Sequence, residues 1–291
     1  MLTDTNLLAW CTKLGLAEHA RTVLNHIRLS DPARRVGGGR RNVSGFYPSK
    51  KMGVTIQFES HRVELAAVYE LEHDDDVLEY FDQPPSFKLN YNSADGRHMG
   101  VLHTADYFVI RKDCAGWEEC KTEDELVVLN RKNPYRYARD EKGRWVCPPG
   151  ETHAAGLGLY YRVRSSRDIN WVYQRNIQFL EDYLRAEVSV VQPMNELVLA
   201  HVAAVPGMSL QQLFEATASA VSRDVIYAMI VSGTVYVDLS RVPIAEPARV
   251  CVFTVKEAAG VSMSPFDENA GTAGPSVASA ADESHRSNQI W

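Results

Sequence analysis

Asp106, Glu119 and Lys121 are the residues whose types and spacing could do chemistry. They lie in VLHTADYFVIRKDCAGWEECKTED, residues 101–124, where apolar residues (Tyr107, Phe108, Val109, Ile110, then Trp117) flank a turn over Lys112 to Gly116. That layout predicts a β-hairpin. Antiparallel pairing brings Asp106 beside Glu119 and Lys121. Their two-residue spacing sends Glu119 and Lys121 out of one face of the strand. Upstream, Glu64 opens a predicted helix and supplies a third acid. Carboxylates converging beside an ammonium make a site for a hard divalent cation, here Mg²⁺ with Mn²⁺ as the expected substitute. The expected ligands are Glu64, Asp106 and Glu119, with the backbone carbonyl of Cys120 adding a further oxygen. Lys121 is expected to position or polarise an attacking water and to stabilise negative charge in the transition state. These roles describe metal-assisted phosphodiester hydrolysis leaving a 3′-hydroxyl and a 5′-phosphate.

Each residue also has an ordinary explanation. A Glu-x-Lys on a strand is commonly a solvated charge pair, and a Glu at a helix start compensates the helix dipole. Asp106 is harder to set aside, because it interrupts an apolar strand where an unpaired carboxylate is costly. Glu118 is expected on the opposite face, solvated or salt-bridged. Cys120 faces away from Glu119 and Lys121, and no histidine adjoins it in sequence to activate it as a nucleophile. His61 and His103 are accessory candidates at most.

The bulk properties fit such a role. The chain has 291 residues, 45% hydrophobic, enough for one large domain or two smaller ones. A net charge of -6 argues against a protein that simply coats nucleic acid, without excluding local basic surfaces. Five scattered cysteines, none in a CxxC, suit a reducing compartment, and their spacing to His98 and His103 fits no standard zinc pattern. No apolar run is long enough for a membrane helix and no secretory layout opens the chain, so a cytoplasmic location is expected.

The elements that must position these residues follow from periodicity. Residues 3–28 are predicted as one helix ended by Pro32. From Arg28 to Lys51 the chain carries seven Arg or Lys (28, 34, 35, 40, 41, 50, 51) against one acid, Asp31, and reads either as a flexible solvated arm or as an arm that contacts phosphates. Its Gly37-Gly38-Gly39 is not a P-loop, lacking a following Gly-Lys-Ser/Thr. Val54 to Phe58 reads as a strand, Glu59 to Tyr80 as a helix, Phe87 to Tyr91 as a strand, and Gly100 to Ile110 with Gly116 to Lys121 as the hairpin. A polar loop over 140–152, a strand over 157–163 and a helix over 167–184 complete the outline of an α/β fold with a central mixed sheet flanked by helices. Residues 193–239 lose most of their charge and read helix, turn, helix, helix, strand, the outline of a winged helix. Arg223 is the only basic residue between His201 and Arg241 apart from those two ends, which favours protein contact or a plain structural role over DNA reading. The tail from about Val255 is small, polar and aperiodic, and is expected to be disordered.

GFYPSKKMGVTIQFESHRVELAAVYELEHDDDVLEYFDQP, followed by HTADYFVI and WEECK, resembles the TnsA family, the endonuclease subunits of heteromeric cut-and-paste transposases. The resemblance covers residues 40–185 well and the following module loosely. It implies a restriction-endonuclease-like fold with the PD-(D/E)xK arrangement, its catalytic positions falling on Glu64, Asp106, Glu119 and Lys121. An Arg-Asn pair of the family falls on Arg175-Asn176. Two positions depart from the pattern: Ala105 stands where a proline is usual, and Cys120 where an aliphatic residue is usual. The resemblance further implies double-stranded DNA at transposon ends as substrate, cleavage of the 5′ strands, a DDE transposase subunit as partner, and an AAA+ ATPase regulator docked on the C-terminal part. The implied organisation is an arm over 1–50, an endonuclease domain over 51–187, a docking domain over 188–254 and a tail over 255–291. A stand-alone restriction or repair nuclease and a non-catalytic adaptor that only binds DNA or protein are the alternatives.

Overall fold

The computed structural model describes residues 1–35, 37, 43–93, 95–186 and 192–254. Two compact units divide the chain: Met1–Val190 with Leu239–Pro247, and Val191–Asp238 with the residues from Ala248 on. The expected tail lies outside the described residues, as do Arg40 and Arg41 of the basic arm.

The single N-terminal helix expected over 3–28 is two, α1 (Asp4–Lys13) and α2 (Glu18–Leu29). Gly15 separates them at φ +65, a left-handed conformation that costs glycine little, and Leu16 donates its N–H back to Cys11 O. A strand pair, β1 (Gly45–Pro48) and β2 (Thr55–Phe58), leads into α3 (Glu64–His73). The helix expected to run to Tyr80 stops at His73. An Asx turn follows, with Asp76 N donating to Asp74 Oδ1. Val77–Asp82 is β3 instead, and both of its faces contribute buried residues.

The expected long strand over 100–110 is also divided. β4 (Phe87–Asn92) and β5 (His98–His103) form a separate two-stranded ribbon. The chain then crosses Thr104–Asp106 into β6 (Tyr107–Arg111), which pairs antiparallel with β7 (Ala115–Lys121) as the hairpin pattern predicts. Thr122 starts α4 (Glu123–Lys132) with a capping box to Glu125. β8 (Ala138–Arg139) precedes the segment expected as a loop over 140–152, which holds β9 (Trp145–Val146) and most of α5 (Pro148–Ala155). β10 (Tyr160–Ser165) and α6 (Trp171–Arg185) follow.

The central sheet has the order β10-β7-β6-β3, with β10 parallel to β7 and the other pairs antiparallel. It is a mixed sheet within an α/β architecture, flanked by helices. On one face Phe108, Ile110, Trp117, Tyr161 and Val163 share a core with Leu7, Trp10 and Leu24 of α1 and α2 and with Ala154 of α5. Gly116 lets β7 and β10 approach closely, since a Cβ there would stand 2.0 Å from Tyr160 O. On the other face, Gln174 of α6 donates to Ala66 O of α3 at 3.0 Å.

Asn176 of the Arg175-Asn176 pair is a structural clasp within the first unit. It donates to Leu239 O and Val242 O at 2.8 and 2.9 Å and accepts from Ile244 N at 2.7 Å, while Arg175 is exposed. In the second unit, α7 (Gln192–Ala204), α8 (Leu210–Thr217) and α9 (Arg223–Val231) accompany a ribbon of β11 (Val235–Val237) and β12 (Val252–Thr254). Ser209 and Ser222 cap α8 and α9. The guanidinium of Arg223 lies over the Phe214 ring at 4.9 Å. Among the described residues no helix is long and apolar enough to cross a membrane.

Candidate active site

The hairpin places its carboxylates and lysine by backbone register. Tyr107 pairs with Glu118, so Asp106, one residue before β6, falls beside the end of β7. Asp106 Oδ2 accepts from Cys120 N at 2.7 Å and lies 3.5 Å from Lys121 Nζ. Lys121 Nζ is 3.2 Å from Glu119 Oε1 and 3.3 Å from the Cys120 carbonyl. Glu64, the first residue of α3, accepts from Glu59 N through Oε2 at 2.8 Å. Tyr107 Oη, lying under the helix start, donates to Glu64 O at 3.4 Å. All three carboxylates are buried, at 6% exposure for Glu64, 5% for Asp106 and 2% for Glu119.

Their electrostatics differ. Burial, reinforced by the charge of Asp106, pushes Glu64 up to about 8. Asp106 is raised by its own burial, against the opposing pull of Lys121. Burial alone would raise Glu119 too, but Lys121, His103 and the hydroxyls of Tyr161 and Tyr137 hold it down at about 2. Burial alone would lower the Lys121 ammonium; Asp106 and Glu119 reverse this and hold it well above its usual value. Lys121 is therefore a fixed cation rather than a base at neutral pH.

Glu119 sits in a clamp that sequence reading missed. Tyr137 Oη donates to its Oε1 at 2.8 Å and Tyr161 Oη to its Oε2 at 2.5 Å. His103, set down as accessory, stands behind Tyr161 with Nε2 2.7 Å from its hydroxyl oxygen. Arg136 Nη2 is 3.1 Å from His103 Nδ1. Arginine only donates, so Nδ1 accepts and Nε2 carries the proton of the neutral ring. The direction is then fixed from end to end: Arg136 to His103, His103 to Tyr161, Tyr161 to Glu119. Burial keeps His103 neutral by pulling it down to about 4, helped by Arg136, Lys121 and Arg34 against Glu119. The sequence signal for this clamp was an alternating strand containing Tyr160-Tyr161, which marks a strand but not a partner.

Other expected roles change. Glu118 lies on the sheet's opposite face and is salt-bridged, one of its two expected states, but fully buried rather than solvated, accepting from Arg164 Nη1 at 2.8 Å and Tyr160 Oη at 2.9 Å. Arg164 also pairs with Glu70 of α3. The Cys120 thiol is buried there and pushed well above its usual value by burial and the neighbouring carboxylates, so it is no nucleophile. His61 is exposed and packs edge-on against Phe58. Much of the arm's positive charge is committed to the protein: Arg28 to buried Glu79 at 2.8 Å, Lys50 to Leu184 O, and Lys51 to the carbonyls of Leu71, Asp74 and Val77.

Glu64 and Asp106 fit a hard divalent ion by donor chemistry. Each is held by one oxygen, both are buried, and the fixed cation beside them sits 3.5 Å from Asp106 and 3.2 Å from Glu119. Glu119 is different, since both of its oxygens carry tyrosine hydroxyls. Among the described residues no three His, Cys, Asp or Glu side chains are gathered as a cage for an ion. No protein-family model matches the chain, and no curated protein matches it.

Proposed function

We propose that this chain is a Mg²⁺-dependent DNA endonuclease with a restriction-endonuclease-like PD-(D/E)xK core, cutting the 5′ strands at transposon ends within a cut-and-paste transposition complex. The observation that carries the reading is the Lys121 ammonium fixed between Asp106 and Glu119 at the open end of the β6–β7 hairpin, with Glu64 delivered by the start of α3. Two buried carboxylates, one of them held at about 8, are what a site looks like when it is built to take up a further positive charge.

When bound, Mg²⁺ (or Mn²⁺) supplies Lewis-acid stabilisation of the phosphoryl oxygens and a water of lowered pKa. Glu64 and Asp106 hold it. Lys121, kept charged and immobile by Glu119 and Asp106, orients the water and stabilises the developing negative charge. The buried clamp on Glu119 keeps that lysine from swinging into solvent. The sparsely charged second unit, whose helix α9 begins with the stacked Arg223, suits the winged-helix-like docking of an AAA+ ATPase better than DNA reading. The remaining partner is a DDE transposase that cuts the 3′ strands, and the complex acts on the nucleoid in a prokaryotic cytoplasm.

The test is end cleavage of a supercoiled donor plasmid in Mg²⁺ with a transposase and an AAA+ ATPase of this kind, comparing wild type with Asp106→Ala and Lys121→Ala. The expected result is loss of the 5′-strand cuts with 3′-strand cuts retained. Unchanged 5′ cleavage in both variants sinks the assignment, and cleavage by the purified chain alone would point to a stand-alone nuclease.

A further inference from the structure

Among the described residues of the basic arm, Arg34 is tied to the site by hydrogen bonds. Its Nε and Nη2 donate to Gln83 Oε1 at 3.0 and 2.8 Å, which leaves Nη1 outside the contact, and the residue is exposed. Gln83 adopts φ 44, the left-handed region that side chains other than Gly, Asn and Asp seldom enter. Its main chain is held on both sides, the N–H donating to Asp106 O at 2.9 Å and the carbonyl accepting from Ala33 N at 2.8 Å. A buried, strained residue thus ties Arg34 directly to the backbone of a candidate metal ligand. Strain of this kind persists only where the surroundings over-determine it, and it gathers at functional sites.

Arg136 reaches the same site through His103. Its Nη2 is spent on His103, and its guanidinium carbon lies 5.2 Å from the Tyr137 ring centre. Its Nε is buried with no hydrogen-bond partner among the described residues. An orphaned buried donor costs free energy until an acceptor arrives. The charges of Arg136, Lys121 and Arg34 all bear on the one neutral His103, each opposing its protonation.

We propose that Arg34 and Arg136 form a two-point clamp on the DNA strand being cut, each taking a backbone phosphate beside the scissile bond, with Gln83 and His103 as the residues that position them. The inference rests on the endonuclease reading. Charge matching supports it: the three site carboxylates and the three cations cancel, so a bound divalent ion leaves two positive charges, the complement of two phosphodiester groups. Planar guanidinium forks suit phosphate oxygens better than an ammonium does.

The experiment measures binding of the full chain to a fluorescein-labelled duplex by anisotropy, with Ca²⁺ as the divalent ion, across a salt series. Wild type is compared with Arg34→Gln, Arg136→Gln, Arg136→Lys and Asp106→Asn. Each lost phosphate contact lowers the slope of log affinity against log salt by about 0.9, so the affinity lost between about 50 and about 200 mM salt shrinks roughly 3.5-fold. Both Gln variants should show that change, while Arg136→Lys, which keeps the charge, should retain the wild-type slope. Wild-type slopes in both Gln variants overturn the clamp. If Asp106→Asn then still binds the duplex and loses the 5′-strand cuts in the plasmid assay with transposase and ATPase, the nuclease reading stands without the clamp. A wild-type chain that does not bind the duplex overturns the clamp, and unchanged 5′ cleavage by Asp106→Asn in that plasmid assay overturns the nuclease reading.

Discussion

Glu64 gives the sharpest quantitative expectation. It shares a buried site with Asp106, and burial beside that second carboxylate raises Glu64 to about 8. At pH 7 Glu64 therefore holds about 0.9 proton, and at pH 9 about 0.1. A divalent ion binds the ionised pair, so binding must expel that proton. Titrating Mn²⁺ into the full chain by calorimetry at pH 7, in buffers of differing ionisation enthalpy, should give about 0.9 proton released per ion. At pH 9 the release should nearly vanish, and Glu64→Gln should remove it at both values. The same group sets a stability trend in the metal-free protein. Its folded pKa lies above the ordinary 4.5, so the native state binds more protons than the unfolded chain throughout the interval between them. Stability must then fall as pH rises from about 4.5 to about 8, by at most roughly 5 kcal/mol, and level off above. Glu64→Gln should flatten that limb. Buffer-independent binding enthalpies for wild type at pH 7, or equal proton release in Glu64→Gln, would refute the account.

Three further outcomes follow from the geometry. Glu118→Ala leaves a buried space and takes one carboxylate from Arg164 and Arg111, which keep Glu70 and Asp74, and should cost about 3–5 kcal/mol, seen as a fall in Tm of roughly 6–20 °C; a fall of under a degree would show that the network is not stabilising. Tyr161→Phe removes a charge-assisted hydrogen bond from Glu119 worth about 1.5–3 kcal/mol, and should lower kcat by roughly tenfold or more with DNA affinity intact. A change confined to KM would mean that Tyr161 acts on substrate instead. Asn176→Ala deletes three hydrogen bonds to the 239–244 segment, and the Ile244 amide should lose its hydrogen-exchange protection by at least tenfold while Leu65 in α3 keeps its own.

The hairpin was legible because one turn separates two apolar runs and a carboxylate interrupts each, so pairing alone fixes which residues meet. β3 was not. Val77-Leu78-Glu79-Tyr80-Phe81 lies in the sheet interior and buries side chains on both faces, so it lacks the alternation that marks a half-exposed strand, and it reads as the continuation of α3. The break at Gly15 was hidden for a related reason: Leu16, Ala20 and Leu24 pack into the same core as Leu7 and Trp10, so the apolar series runs on across a change of direction. Glu64, Asp106, Glu119 and Lys121 could be nominated by type and spacing. His103 could be named only as an accessory residue, and Tyr137, Tyr161 and Arg136 not at all, because their relation to Glu119 is made by the packing of β10 and the segment after α4, distant in sequence from β7. The basic arm misled in the opposite direction. Density of charge is visible in a sequence, but whether a lysine faces a phosphate or three backbone carbonyls depends on the fold, and Lys51 does the latter.

The two adjacent acids of β7 show why the site needs the whole sheet. Glu119 faces the clamp, Glu118 the opposite layer, and each is buried with its charge answered by residues from β10: Tyr161 above, Tyr160 and Arg164 below. A slip of β10 against β7 by one residue would exchange those faces, setting Arg164 toward Glu119 and leaving Glu118 without its partner. Parallel pairing through Tyr160↔Gly116 is therefore locked from both sides of the sheet by charge as well as by packing. Gly116 makes the close approach sterically feasible, and the ionic layer beneath makes any other register costly. The positional accuracy of Lys121, on which the proposed chemistry depends, is in this sense set by a carboxylate that never touches the site.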